Sequence, residues 1–223
     1  MAKTLEIYWG SGSPNAWRVL LTAELKKIPY ESKLLEFSKD DHKKPEFVAL
    51  NPRGKVPAIR DGDFTLYESL AIMTYLDRRN PEPAIFGRNP ADAGRIWRTI
   101  SEFECYLRQP FDDMIRPILF KQLPEKNKQV QTAGETVRTE LGRLEQSMDS
   151  NPWLCGREVS AADLAVYPFV KFIVRQTGKD ELKPLNLGLA PFEAEFPTLQ
   201  AWMRRVEALP GYERTYPPHW RSQ

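Results

Sequence analysis

Cysteine and histidine are scarce in this chain, two of each in 223 residues. Cys105 and Cys155 stand far apart and fit neither a CxxC pair nor the ligand spacing of a zinc site. They are expected to be free thiols in or near a core, where cysteine behaves as a small hydrophobe, and to sit in a reducing compartment. No metal site is expected. No run is long and apolar enough to span a bilayer. The start, MAKTLEIYW, passes straight into a strand pattern without the apolar core and cleavage site of a secretory signal, so a cytoplasmic, non-membrane protein is expected. One-sided charge is missing too. The formal net charge is +2, too small to argue for a nucleic-acid surface. Arg78-Arg79 and Arg204-Arg205 read as solvated helix faces.

What is present suits a folded chain of one large or two small domains: 41% hydrophobic and 28% charged residues. The first part alternates. TLEIYW (4–9) reads as a strand, NAWRVLLTAELKK (15–27) as a helix and YESKLLEF (30–37) as a strand. DHKKPEFVAL (41–50) is irregular or briefly helical. KVPAI (55–59) and FTLYE (64–68) are strands joined around Asp61-Gly62, a hairpin signal. SLAIMTYLDRR (69–79) has apolar residues at helical spacing. This βαβ–ββα order predicts a small α/β domain over residues 1–80. Residues 80–94 are rich in Pro and Gly, and the linker is placed at 81–90. From 91 to 223 the pattern is all-helical. Long helical segments start near 93, 126, 159 and 196, the first weakened near Pro110 and Pro117. In VSAAD, Ser160 and Asp163 have capping-box spacing, with Asp in place of the usual Glu or Gln.

GSGSPNAWRVLL (10–21) raises a chemical question. A helix N-terminus carries unpaired N–H groups and a positive dipole end, so it attracts anions. Pro14 suits the first helical position, which makes Ser13 the N-cap. A capping hydroxyl accepts a backbone N–H and keeps its own hydrogen to donate. Gly10 and Gly12 leave the turn bare for a ligand. A βαβ–ββα domain with a proline just inside its third strand is the thioredoxin-like plan. Where dithiol members carry CxxC, this chain has Ser13-Pro14-Asn15-Ala16. Any sulfur chemistry here needs a sulfur brought by the ligand.

At NPRGKVPAIRDGDFTLYESLAIMTYLDRR (51–79) the sequence resembles the NPxGxVPxLxDGDxxLxESxAI segment of cytosolic glutathione transferases. HKKPEF (42–47) resembles the HKxPEF stretch of theta- and phi-like members, and SAAD (160–163) the helix start of the family's C-terminal domain. Order and spacing agree over essentially the whole chain, and resemble a bacterial theta- or phi-like serine type. The resemblance implies a thioredoxin-like domain followed by a helical one, with glutathione as co-substrate.

It also implies roles. Val56-Pro57 resembles the family's cis-proline step, which turns the Val56 backbone toward the ligand's cysteinyl backbone. Ser69 supplies its hydroxyl and N–H to the γ-glutamyl carboxylate, and Glu68 meets the ammonium group. His42, Lys43 and Lys55 fall where the family holds the glycyl carboxylate. In serine-type members the working hydroxyl lies six residues before a small apolar residue of the first helix. Ser13 has that distance from Val19, with Ser11 as runner-up. Tyr8 falls where other classes use a tyrosine, but it lies inside the strand pattern and reads as a packed aromatic.

The implied reaction lowers the thiol pKa so that glutathione thiolate attacks a small hydrophobic electrophile. SPNAWRV is also similar to the TPNGxKV pattern of nu-class relatives, which reduce disulfides and in which the residues at Ser13 and Asn15 contact the sulfurs. Three readings therefore stand: a transferase, a glutathione-dependent disulfide or peroxide reductase, and a non-catalytic binding module of the same fold. Trp9, Tyr106, Phe111 and Ile115 are the candidates for an electrophile pocket expected between the domains. The tail YPPHW reads either as a cover or as a surface patch. By resemblance the chain is a homodimer, with helix 69–79, the helix from 93 and Arg78 or Arg79 at the seam.

Overall fold

The computed structural model of the protein describes residues 4–148 and 150–221. The chain forms two compact units. One runs through Phe86 and takes in the segment from Glu207 onward; the other spans Gly87–Val206.

The first unit is built on a four-stranded sheet, β1 (Leu5–Trp9), β2 (Tyr30–Leu34), β3 (Ala58–Asp61) and β4 (Phe64–Tyr67), in the order β2-β1-β3-β4. β1 is parallel to β2 and antiparallel to β3, and β3 is antiparallel to β4. Leu5, Ile7 and Trp9 are buried and alternate with half-exposed Glu6 and Tyr8, the period of a strand with one face on the core. Helices α1 (Pro14–Leu25) and α3 (Ser69–Arg79) pack on each other, burying Val19, Leu20, Ile72 and Leu76. A short helix α2 (Pro45–Val48) follows two 3-10 turns at Phe37–Lys39 and Asp41–Lys43.

Three element ends differ from the expectation, each for a local reason. β2 stops at Leu34 because the chain turns at Glu36 into the Phe37–Lys39 turn. β3 starts at Ala58, not Lys55, since Pro57 has no N–H to give a ladder. β4 ends at Tyr67, where Glu68 turns to φ +71° and leaves extended geometry.

The first unit runs on through Phe86, within the stretch 81–90 read as linker, because a buried ion pair holds these residues. Lys26 Nζ lies 2.7 Å from Asp77 Oδ1 and 2.6 Å from the carbonyl of Pro83, and the Ile85 N–H donates to the same carboxylate oxygen at 3.1 Å. The segment from Glu207, expected with the helical domain, packs instead on α1. Trp17 Nε1 donates to Thr215 Oγ1 at 2.8 Å, and the Trp17 ring meets Tyr216 and Trp220 edge-on at 5.8 and 5.5 Å.

In the second unit, α4 (Pro90–Glu102) is capped by Asn89, whose side chain accepts from the Asp92 N–H at 2.9 Å. It therefore begins inside the stretch read as linker. The helical path continues to α5 (Arg108–Leu119), broken by a π turn at Phe103–Leu107. The interruption precedes the prolines because Pro110 has no N–H for the carbonyl one turn back, that of Tyr106. Pro117 frees the carbonyl of Asp113 in the same way, and Gln129 Nε2 from α6 (Asn127–Met148) donates to it at 3.2 Å.

α7 (Ala161–Thr177) is buried nearly all round, so it forms the centre of this unit. Phe103 and Phe111 pack on its Phe169 at 4.8 and 5.1 Å. After the short α8 (Phe192–Glu195) comes α9 (Pro197–Glu207), whose Thr198 and Leu199 N–H groups both donate to Glu145 at 2.7 Å. A carboxylate there completes the helix start. α10 (Tyr212–Thr215) and a 3-10 turn at Pro218–Trp220 follow.

The start of α7 has the expected capping box. Fully buried Asp163 accepts from the N–H and the O–H of Ser160, both at 2.8 Å, through Oδ2. Its Oδ1 accepts from the Leu154 N–H at 2.9 Å and from Trp202 Nε1 at 2.8 Å. Burial holds this carboxyl above the usual carboxylate range, with the four donors pulling the other way. Removing one donor, Ser160→Ala, is expected to cost about 1 kcal/mol. Asp163→Asn turns an acceptor oxygen into a donor facing donors and should cost about 3 kcal/mol. Thermal melting of the two variants checks the order, and equal losses would contradict it.

Candidate functional site

The strand register gathers the candidate residues of the first unit at one end of the sheet. Tyr8 pairs with Ala58, and Ala58 with Tyr67. One residue further, the end of β1 runs toward Pro57, and Pro57 toward Glu68. Trp9 also pairs with Leu34 in parallel, so β2 ends at the same edge. The connections leaving this edge are therefore 10–13, 35–44, 51–57 and the step 68–69 into α3.

In the first of these, the Ser13 N–H donates to the Gly10 carbonyl at 3.1 Å, closing a tight turn. Gly12 takes φ +80°, which a side chain resists. Ser13 is the N-cap of α1. Its Oγ accepts from the Ala16 N–H at 3.3 Å, with Pro14 as the first helical residue. The oxygen is used as an acceptor and the hydroxyl hydrogen remains. Asn15 follows in the same first turn, half-buried. Ser11 Oγ lies 2.6 Å from His219 Nδ1.

Phe37, from the second connection, lies on Gly10, where even a methyl group would overlap its ring. His42 stands edge-on to that ring at 5.3 Å, and its carbonyl sits 3.1 Å from the place a Cβ would take at Gly54. Lys43 reaches Asp40 at 2.8 Å on the surface, a pairing that holds the Asp40 carboxyl below its ordinary value. Such an exposed pair is weak, so a carboxylate ligand can compete for the ammonium group.

The third connection is organised by Asn51, which is 2% exposed. Its Nδ2 donates to the Lys55 carbonyl at 2.5 Å, and its Oδ1 accepts from the Arg53 N–H at 3.0 Å. The Val56–Pro57 bond is cis. At the fourth, Glu68 sits at φ +71°, a backbone conformation strained for a non-glycine residue. Ser69 opens α3 and is 7% exposed. Arg18 of α1, 1% exposed, donates from Nη1 to Ser69 Oγ at 3.3 Å. A buried guanidinium thus stands behind a helix N-terminus, and both favour an anion there.

Two of these residues have no role assigned from the sequence, although Asn51 is a letter of the 51–79 motif. Asn51 lies within the 51–79 segment, where a buried amide binding its own loop is the expected signal of a shaped connection. Arg18 is marked only by its place among apolar residues of an otherwise buried helix face. Tyr8 is occupied elsewhere. Its hydroxyl donates to Glu6 Oε2 at 2.9 Å and accepts from Arg60 Nη2 at 2.8 Å, while burial and Glu6 push it above its ordinary value.

The electrophile-pocket candidates are not brought together within either unit. Trp9 belongs to the first, buried, with its Nε1 donating to Ser32 Oγ at 2.7 Å. Phe111 and Ile115 are enclosed in the core of the second, because both face the centre of that helical unit. Tyr106 is 59% exposed and borders a cavity of about 360 Å³ between α4, the π turn and α6.

Known proteins resemble the chain throughout. Residues 12–79 match the family described as glutathione S-transferase, N-terminal domain, and residues 101–210 the glutathione S-transferase, C-terminal domain. Glutathione S-transferase A of Pleuronectes platessa is 29% identical over 99% of this chain and 94% of its own length. Human glutathione S-transferase theta-2 is 30% identical over 96% of this chain and 85% of its own. The crystal structure of a glutathione S-transferase from the Antarctic clam Laternula elliptica superimposes with a TM-score of 0.81 at 28% identity, covering 99% of this chain and 95% of that one.

The Asn51 loop is directly testable. Asn51→Ala leaves the Lys55 carbonyl and the Arg53 N–H without their partner and should cost about 1–3 kcal/mol. That is a fall of roughly 2–4 °C in melting temperature per kcal/mol for a chain of this size. An unchanged midpoint would show that the loop holds its shape without Asn51.

Proposed function

The chain belongs to the glutathione S-transferase family, and from that premise we propose that Ser13 activates the glutathione thiol for attack on a small hydrophobic electrophile. The protein is an enzyme that transfers glutathione. The observation that carries the Ser13 reading is the cap geometry. Its oxygen accepts from the Ala16 N–H, so its hydrogen is left to donate to sulfur at the positive end of α1.

A free thiol has a pKa near 8.5 and is only a few per cent thiolate at neutral pH. A donated hydrogen bond and the helix end together lower it by ~2 units, about 2.7 kcal/mol. The thiolate then attacks the electrophile and forms the new carbon–sulfur bond, while the leaving group departs with the electron pair. No side chain has to take up a proton in that step.

The remaining residues hold the tripeptide. In this reading Ser69 accepts from Arg18 and gives its own hydrogen to the γ-glutamyl carboxylate, which also meets the N-terminus of α3. Glu68, with Arg53 Nε 3.8 Å away, receives the ammonium group. The Val56 backbone, presented beside Pro57, pairs with the cysteinyl backbone as a one-residue strand addition. His42, Lys43 and Lys55 meet the glycyl carboxylate, and Asn15 lies beside the sulfur. Of the residues considered for the electrophile, Tyr106 is exposed beside a cavity of the second unit, whereas Trp9, Phe111 and Ile115 are buried within their own units.

Asn15 in the same turn as Ser13 favours one second reading, reduction of disulfides or peroxides with glutathione. A chlorinated nitrobenzene and hydroxyethyl disulfide, compared as substrates, separate the two. The same proposal places the enzyme in the cytoplasm as a homodimer. The homodimer is supported by the exposed Phe64 ring stacked on Tyr75 of α3 at 5.0 Å; among the described residues no helix is long and apolar enough to cross a membrane.

Two substitutions divide activation from binding. Ser13→Ala should lower kcat by about one to two orders of magnitude while leaving the KM for glutathione within about tenfold, because the lost donor acts on the thiolate. Unchanged turnover would move the role to Ser11 or Asn15. Ser69→Ala should weaken glutathione binding by about 1.5–3 kcal/mol, the value of a charge-assisted hydrogen bond. Isothermal titration with glutathione checks it, and undiminished affinity would remove Ser69 from the carboxylate pocket.

A further inference from the structure

His219 and Trp220 lie against the turn that carries Ser13. Trp220, 5% exposed, is wedged on Trp17 of α1, and Tyr216 and the Thr215 hydroxyl hold the same indole. This anchor delivers His219 to the connection between β1 and α1. Its Nδ1 lies 2.6 Å from Ser11 Oγ. Its Cε1 would stand 2.7 Å from a Cβ at Gly12, so the imidazole rests directly on that residue.

Residues 10–13 form a four-residue turn closed by the Ser13 N–H on the Gly10 carbonyl, and Gly12 has the φ near +80° of a type II turn at its third position. Ser11 and Gly12 are the two central residues, and His219 touches both. A turn with glycines on either side of a serine is soft by composition. Its own sequence supplies little to keep the Ser13 oxygen in place; Phe37 covers Gly10, and the tail covers Ser11 and Gly12.

We propose that His219 is a positioning residue of the transferase. Through Ser11 it fixes the turn that aims the Ser13 hydroxyl at the sulfur, and it does so without touching glutathione itself. The inference rests on the Ser13 reading above. The bond to Ser11 persists in either form of the imidazole. A neutral ring with its hydrogen on Nε2 accepts the Ser11 O–H, and a ring with hydrogen on Nδ1 donates to the Ser11 oxygen. With the ring hydrogen on Nε2, the imidazole takes the Ser11 hydrogen, and Ser13 is then the hydroxyl of this turn that remains for the ligand.

The test uses the full-length enzyme and the variants His219→Ala, His219→Asn, Ser11→Ala, Ser13→Ala and the Ser11/His219 double alanine. His219→Ala is expected to lower kcat about tenfold, the scale of a small misplacement of a reacting group. The KM for glutathione and the melting temperature should stay near the wild-type values. The acidic limb of the kcat/KM profile should move to higher pH, because a misplaced Ser13 stabilises the thiolate less. A purely structural role would move the melt and not this limb. His219→Asn, whose amide oxygen falls near the place of Nδ1, should recover most of the rate. Ser11→Ala should repeat the loss, and the double variant should lose no more than either single one. If His219→Ala fails to fold, Ser11→Ala carries the same expectation.

A normal rate and pH profile in both single variants overturns the proposal, as do losses that simply add in the double variant. Ser13→Ala separates the two failures. If it moves the acidic limb while His219→Ala and Ser11→Ala do not, only the role of His219 falls. If Ser13→Ala leaves the limb in place, the Ser13 reading falls, and the positioning role with it.

Discussion

Tyr8, Ala58 and Tyr67 lie side by side across three strands, with Trp9 level with Leu34 on the fourth. Nearly everything proposed for the site depends on that register. Because β1 alternates a buried and a half-exposed face, a one-residue slip would exchange the two faces and expel Leu5, Ile7 and Trp9 from the core. The register is therefore held by burial, and it decides which connections emerge together. Those connections carry a helix cap, a cis-proline step, a surface of cations and a second helix start. Hydrophobic packing on one face of the sheet places polar chemistry at its edge.

The chemistry at that edge uses one device twice. Ser13 begins α1 and Ser69 begins α3. Each oxygen accepts a hydrogen bond from inside the protein, from the Ala16 N–H in one case and from Arg18 in the other. Each hydroxyl therefore keeps its own hydrogen to donate, at a helix end where negative charge is favoured. The pairing suits a ligand with a thiolate at one point and a carboxylate at another. Holding the fold and binding a ligand are compatible uses of the same group, because the protein uses a lone pair of each oxygen and leaves its hydrogen to donate.

Much of this was legible in the sequence, and the parts that were not have physical causes. Ser13 as N-cap, the hairpin around Asp61-Gly62, the helix 69–79 and the Ser160–Asp163 capping box are local patterns, set by neighbours within a few residues. The element ends at Leu34, Ala58 and Tyr67 depend on a turn, a missing N–H and a left-handed residue, whose effects a periodicity only approximates. What escaped altogether was long range. Nothing in YPPHW announces that Trp220 will seat on Trp17, or that His219 will meet Ser11. The reach of Lys26 to Asp77 and Pro83, which extends the first unit to Phe86, is equally a tertiary event. Phe111 and Ile115 show the converse limit. Apolar residues at helical spacing look alike whether they line a pocket or fill a core, and here they are buried in the core.

The central claim is that Ser13 stabilises glutathione as its thiolate. The most direct measurement is an ultraviolet difference titration of enzyme-bound glutathione against pH, in the wild type and in Ser13→Ala. The account predicts a thiolate band with a midpoint about 2 units below the free thiol's value near 8.5 in the wild type, moving upward in the variant. A low midpoint that the substitution leaves in place would contradict it, and would transfer the stabilisation to the helix end, Ser11 or Asn15.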